Sequence, residues 1–201
     1  MLRFFRRKQQ KRSFEEQLRV LAGCGVDLNM GVRGESLLHS FSREQFEAEP
    51  FRLLLCVMGG EAEDPARAGE SGYPSDNVWH FDTECIEGDG SYRRIAIRMS
   101  ALAQGDLPLM DIEDSVDLEA GTAWLSFWLN GKSERWTAKV EDDWVDPEML
   151  SRFARLLESR GTNRRYTYID LQGQDCLIGC ATKEEKVRLE RATGLKVEWL
   201  K

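Results

Sequence analysis

The chain has 201 residues, of which 41% are hydrophobic and 31% charged, and its formal net charge is −7. This length and apolar content suffice to bury a substantial core without disulfide bonds. The acidic balance argues against nucleic acid or an anionic membrane as a partner, because phosphates would be repelled. The longest apolar run, residues 53–58, is too short to span a bilayer, and the basic N-terminus lacks the apolar segment of a secretory signal.

Charge is segregated along the chain. Residues 76–150 carry 17 acidic against 6 basic side chains, whereas residues 1–12 carry six basic and no acidic side chains. Five of the six tryptophans lie in the acidic block: Trp79, Trp124, Trp128, Trp136 and Trp144. The combination predicts an acidic, tryptophan-bearing face for a basic protein partner, or carboxylates that bind a cation.

Cysteine usage indicates a reducing compartment. The five cysteines are odd in number and scattered, and Cys176 and Cys180 are four residues apart, not three. Neither zinc-ribbon spacing nor a redox pair is present. We therefore expect reduced thiols and a cytoplasmic location.

The N-terminal third predicts a basic arm, two short helices, a strand and a loop. Residues 1–12 form the arm, and residues 13–201 are predicted to be a single α+β domain. Capping signatures at Ser13 and Ser42 predict helices that end near Ala22 and Pro50. Residues 51–58, which are apolar except for Arg52, predict a buried strand with apolar side chains on both faces. Residues 59–77, rich in Gly, Pro and acid, predict a flexible loop.

The middle of the chain predicts two strands, a helix and a β-hairpin. Residues 78–84 alternate weakly, residues 91–103 have helical spacing, and residues 107–118 are ambiguous, with an edge strand favoured. Asn130-Gly131 joins two alternating runs and predicts a tight turn. We expect Trp124, Trp128 and Trp136 to share one hairpin face, opposite Leu125, Phe127 and Leu129.

Two helices and three strands are predicted after the hairpin. Asp146-Pro147 predicts a helix over 148–160, and Thr182 begins a further capping box. Strands are expected at 166–171, 176–181 and 195–200. The resulting order, β-β-α-β-β-α-β, predicts an α+β fold with a mostly antiparallel sheet and helices packed on it.

One segment offers an alternative based on metal chemistry. On a strand, His80, Asp82 and Glu84 would lie on the same face, and an imidazole with two carboxylates suits a divalent metal such as Mn²⁺, Fe²⁺ or Zn²⁺. The alternative function is therefore a metal-dependent enzyme with one divalent metal as its cofactor. A half-buried strand with a solvated polar face explains the same pattern.

The densest carboxylate run points to a partner and not to catalysis. Glu141, Asp142, Asp143 and Trp144 directly precede Asp146, which is explained as a helix cap. Together with Asp82 and Glu84, they are the predicted partner-binding residues. With two histidines in the chain and no nucleophile signature beside them, we expect a non-enzymatic protein that has no catalytic residues and needs no cofactor.

The block pattern resembles a group of small cytosolic bacterial proteins. The resemblance rests on WHFDTECIE, the tryptophan-rich hairpin, DDWVDP and QDCLIGC, and covers roughly residues 76–200. Some acidic α+β proteins of this kind are immunity partners of polymorphic or contact-delivered toxins. The resemblance implies an acidic face that occludes a basic toxin active site, without catalysis.

Overall fold

The computed structural model describes residues 12–63 and 71–201. Most of the predicted basic arm and the middle of the predicted 59–77 loop lie outside these residues. The described ends of that loop pair with each other as a short β-hairpin. Within the described ranges, no helix is long and apolar enough to cross a membrane.

The described residues form six α-helices, one 3-10 helix and nine strands. The α-helices are α1 (Phe14–Ala22), α2 (Arg43–Ala48), α3 (Arg52–Gly59), α4 (Ser91–Leu102), α5 (Pro147–Ser159) and α6 (Lys183–Thr193), and the 3-10 helix is Gly34–His39. The strands are β1 (Ala62–Glu63), β2 (Ser71–Gly72), β3 (Val78–Asp82), β4 (Met110–Asp117), β5 (Thr122–Leu129), β6 (Lys132–Lys139), β7 (Arg164–Asp170), β8 (Asp175–Thr182) and β9 (Glu198–Trp199).

The predicted fold class is confirmed, with its strands divided among separate sheets. One sheet has the order β3-β8-β7-β9, a second has the order β4-β5-β6, and β1 pairs with β2. Every strand pairing among the described residues is antiparallel. The predicted order from the hairpin onward is the observed order β5-β6-α5-β7-β8-α6-β9.

The four-stranded sheet is buried on both faces. Trp79 and Ile178 point into a cluster that also contains side chains of α4, α5 and β5. Val78 and Leu177 point the other way, into a cluster that contains side chains of α1, α3 and α6. Side chains along β3 and β8 point alternately to the two faces of the sheet, so each strand contributes to both hydrophobic clusters. This sheet is therefore the layer between the two clusters.

The strand prediction for residues 51–58 is wrong, because this run is helix α3. Its side chains are apolar except for Arg52: Leu54, Leu55 and Met58 are at most 1% exposed, and Leu53, Cys56 and Val57 are partly buried against the same cluster. A short apolar run fits a buried helix as well as a buried strand. The helix also lies close to β3: a Cβ added at Gly59 would lie 2.6 Å from the His80 amide nitrogen.

The predicted hairpin is present, but the predicted face of Trp136 is wrong. The register pairs Leu125 with Trp136, so both side chains point to the core. There the Trp136 ring packs 4.9 Å from Phe127 and 5.0 Å from Phe153 between ring centroids. Trp124 and Trp128 remain on the opposite, outward face.

Candidate partner-binding surface

Backbone pairing brings together two acidic segments that are far apart in sequence. The Val145 amide donates to the Thr83 carbonyl at 2.8 Å, and the Ile86 amide donates to the Asp143 carbonyl at 2.9 Å. Between these bonds, Glu84 and Trp144 face each other as an antiparallel bridge. All six predicted partner-binding residues, Asp82, Glu84, Glu141, Asp142, Asp143 and Trp144, therefore lie in one region, which we call the acidic surface.

A tight turn presents the second acidic segment. The Trp144 amide donates to the Glu141 carbonyl at 3.1 Å, and Asp142 adopts a positive φ of 52° within the turn. Aspartate tolerates this left-handed conformation better than most side chains do. Glu141, Asp142 and Asp143 are all exposed as a result.

Buried neighbours hold the paired segments against the core. Ile86 is 1% exposed and Val145 is 5% exposed, and both belong to the cluster between the two larger sheets. Trp144 precedes Val145 and is 43% exposed. The acidic surface thus combines a fixed backbone with an accessible indole, which suits a binding anchor.

Local hydrogen bonds fix the position of Asp82. Its Oδ1 accepts from the Glu84 amide at 2.9 Å, and the Gln174 side-chain amide donates to the same oxygen at 3.3 Å. The Thr83 hydroxyl donates to the Gln174 carbonyl at 2.7 Å. The end of β3 is therefore tied to the turn between β7 and β8.

The carboxylates act together on a nearby thiol. Burial is the main reason that the pKa of Cys85 is raised to about 11. Asp82, Glu87 and Asp143 raise it further, while Arg94 opposes them. Carboxylates of both paired segments therefore lie close enough to Cys85 to raise the pKa of its thiol.

Two further carboxylates, which the sequence pattern does not predict, extend the acidic surface. Asp170 and Asp175 lie at the ends of β7 and β8, and both contribute with Asp82 to the raised pKa of Cys176, after burial. Asp175 is directly paired with Asp82 in the sheet. The neighbouring sequence carries no signal for this pairing, because β3 and β8 are more than ninety residues apart.

The residues of the metal alternative are arranged differently from a ligand set. The His80 Nε2 atom lies 3.4 Å from an Asp175 carboxylate oxygen. Asp82 is engaged by Gln174, and Glu84 lies beyond the end of β3 at the bridge to Trp144. In the described part of the chain, no group of three or more His, Cys, Asp or Glu side chains is placed to hold a metal ion.

The structure is an α+β fold with an exposed group of carboxylates beside Trp144. Comparisons with protein-family models, curated proteins and solved structures found no match to the chain.

Proposed function

We propose that this protein is a non-enzymatic binding protein whose acidic surface engages a basic protein partner. The observation that carries the proposal is the backbone pairing of residues 83–86 with 143–145, which places two acidic segments around the exposed Trp144. Trp144 supplies the contact area, and the carboxylates supply attraction and orientation.

The exposure of the carboxylates on the acidic surface supports protein binding more than catalysis. Glu141, Asp142 and Asp143 are exposed on a tight turn, and Asp82 at the end of β3 is exposed as well. Enzyme sites are usually concave and contain groups with converging roles. An exposed carboxylate cluster increases the association rate of a basic protein, and salt weakens that effect.

The resemblance to bacterial immunity proteins suggests a narrower proposal. In this form of the proposal the partner is a toxin with a basic active site, and the acidic surface neutralises it by covering that site. The immunity proposal requires protection in addition to binding. A cell that makes the toxin must survive when this chain is also present.

The experiment compares three proteins as bait for affinity capture at low and high salt. The first is the wild type, and the second carries Glu141→Gln, Asp142→Asn and Asp143→Asn. Asparagine tolerates the positive φ at position 142, so the turn is retained. The third is a matched control with Glu35→Gln, Glu49→Gln and Glu184→Gln, which removes the same charge from exposed positions elsewhere.

A captured basic protein is then titrated against all three baits. We expect the turn variant to bind at least about tenfold more weakly and with less salt dependence, while the control matches the wild type. Equal losses in both variants would indicate a net-charge effect, and unchanged binding in the turn variant would refute the proposal. Growth of cells that make the captured protein, with each bait co-expressed, tests the immunity form separately.

Metal analysis distinguishes the enzymatic alternative. One equivalent of divalent metal in the purified protein, lost in His80→Ala, would favour a metal-dependent enzyme that uses His80, Asp82 and Glu84. Binding of a basic protein that is unchanged in His80→Ala would favour the acidic surface.

A further inference from the structure

The three-stranded sheet has a second face that points away from the core. Its central strand β5 buries Leu125 and Phe127 on the inner side and presents Trp124, Ser126 and Trp128 on the outer side. Trp128 is 43% exposed, and Met110, its direct partner on β4, is 57% exposed. Large apolar side chains paired on an open sheet face are typical of an interaction site.

Charge on this outer face is divided between its two edges. Residues that point outward from β4 include Glu113 and Asp117, whereas those from β6 include Arg135 and Lys139. The β5 residues between them are uncharged. The outer face is therefore negative along β4, carries two tryptophans on β5 and is positive along β6.

We propose that this outer face binds the same face of a second copy of the chain. A two-fold axis parallel to the strands would lay β4 of one copy over β6 of the other, and so bring the acidic edge over the basic edge twice. An axis across the strands would instead place like charges together. Charge complementarity thus selects both the occupant and its orientation.

The strand register specifies which residues meet. Glu113, Ser126 and Arg135 lie in one row across the sheet. The two-fold axis preserves position along the strands, so Glu113 of each copy meets Arg135 of the other. Because the strands twist, residues of the two copies move apart towards the ends of the sheets. The row of Glu113, Ser126 and Arg135 and the neighbouring row of Trp124 lie near the middle, where residues of the two copies face each other most closely.

The Arg135 side chain is already positioned for this contact. Its guanidinium carbon lies 3.9 Å from the centroid of the Trp124 ring, on the outer face. Stacking on tryptophan restricts the arginine side chain, so less conformational entropy is lost when a carboxylate approaches.

The small area of the face indicates that the dimer is weak. Each strand has eight residues, and three such strands span roughly 400 Å² at ordinary sheet spacings. Standard interfaces bury about 800 Å² per partner. We therefore expect a concentration-dependent dimer with a dissociation constant on the order of 10–100 μM.

Sedimentation velocity from about 1 to 500 μM tests the dimer. Wild type is expected to shift from monomer to dimer across this range. Glu113→Arg and Arg135→Glu, each alone, put like charges opposite each other twice and should weaken the dimer at least about tenfold. The controls Glu184→Arg and Arg191→Glu lie on exposed positions of α6 and should leave it unchanged.

Mixing the two single variants provides the sharpest test. In a mixed dimer, the arginine introduced at position 113 of one chain faces the glutamate introduced at position 135 of the other. The second contact joins the native Glu113 and the native Arg135, so both contacts are complementary again. An equimolar mixture of the Glu113→Arg and Arg135→Glu proteins should therefore dimerise although neither does so alone, and the double variant should dimerise by itself.

Three results would overturn the proposal. They are a wild-type monomer at every concentration, a dimer insensitive to both single reversals, and a mixture that stays monomeric when the singles do. Circular dichroism of each variant checks that it is folded. The assay contains no other protein, so its outcome is independent of the basic-partner proposal.

Discussion

Arg98 is a buried charged residue that holds residues 75–78 in place, at the end of the segment for which the sequence predicts a flexible loop. It is 4% exposed, and its guanidinium donates to the Ser75 and Val78 carbonyls at 2.6 and 2.7 Å and to Asp76 at 2.8 Å. It also lies 3.7 Å from the centroid of the Tyr73 ring. Helix α4 thereby fixes the chain that leads into β3.

Replacing Arg98 with leucine should therefore destabilise the protein. Two carbonyl acceptors would lose a charged donor, and we expect the free energy of unfolding to fall by about 2–4 kcal/mol in urea titrations. Arg94→Leu, at an exposed position of the same helix, should change it by about 0.5 kcal/mol or less. Equal effects of the two substitutions would contradict this role for Arg98.

At the scale of elements, the three-stranded sheet uses its tryptophans in two different ways. Trp136 is packed against Phe127 of β5 and Phe153 of α5, whereas Trp128 is 43% exposed. Trp136→Ala should lower the free energy of unfolding by about 2–4 kcal/mol, because it leaves a cavity between β6 and α5.

Trp128→Ala is the matched comparison, and it should lower the free energy of unfolding by about 1 kcal/mol or less, the contribution of a cross-strand pair on an open face. Both variants are measured by urea unfolding at low micromolar concentration, below the expected dimer range. A larger loss for Trp128→Ala would mean that the outward face is more important to the monomer fold than its exposure indicates.

At the scale of the whole molecule, burial of thiols in both clusters predicts sensitivity to alkaline pH. The pKa of every cysteine is raised, mainly by burial, to about 11 at Cys56 and to about 12 at Cys176. Since the thiols of the unfolded chain have the ordinary cysteine pKa of 9.0, the stabilisation is complete below pH 9. It is lost as pH rises from 9 towards 12.

Cys176 is 1% exposed, and it should account for a measurable part of this slope. One such thiol contributes up to about 1.4 kcal/mol per pH unit between its unfolded and folded pKa. We expect urea unfolding of Cys176→Ala to show a shallower loss of stability between pH 9 and 11 than the wild type. Parallel curves for the two proteins would contradict the assignment.

Sequence alone determined the features that depend on nearby residues. The capping boxes at Ser42 and Thr182 form as predicted, because their bonds join residues three apart. The Asn130-Gly131 turn has positive φ at both residues, as the hairpin requires. The fold class and the element order after the hairpin follow from such local signals.

Contacts between distant segments become visible in the tertiary structure. In it residues 52–59 are a helix, although the unbroken apolar run 53–58 has no periodicity that would distinguish a helix from a strand. It turned Trp136 inward through strand register. Finally, it joined the acidic segments near Asp82 and Asp143 and added Asp175, because long-range backbone pairing leaves no mark in the neighbouring sequence.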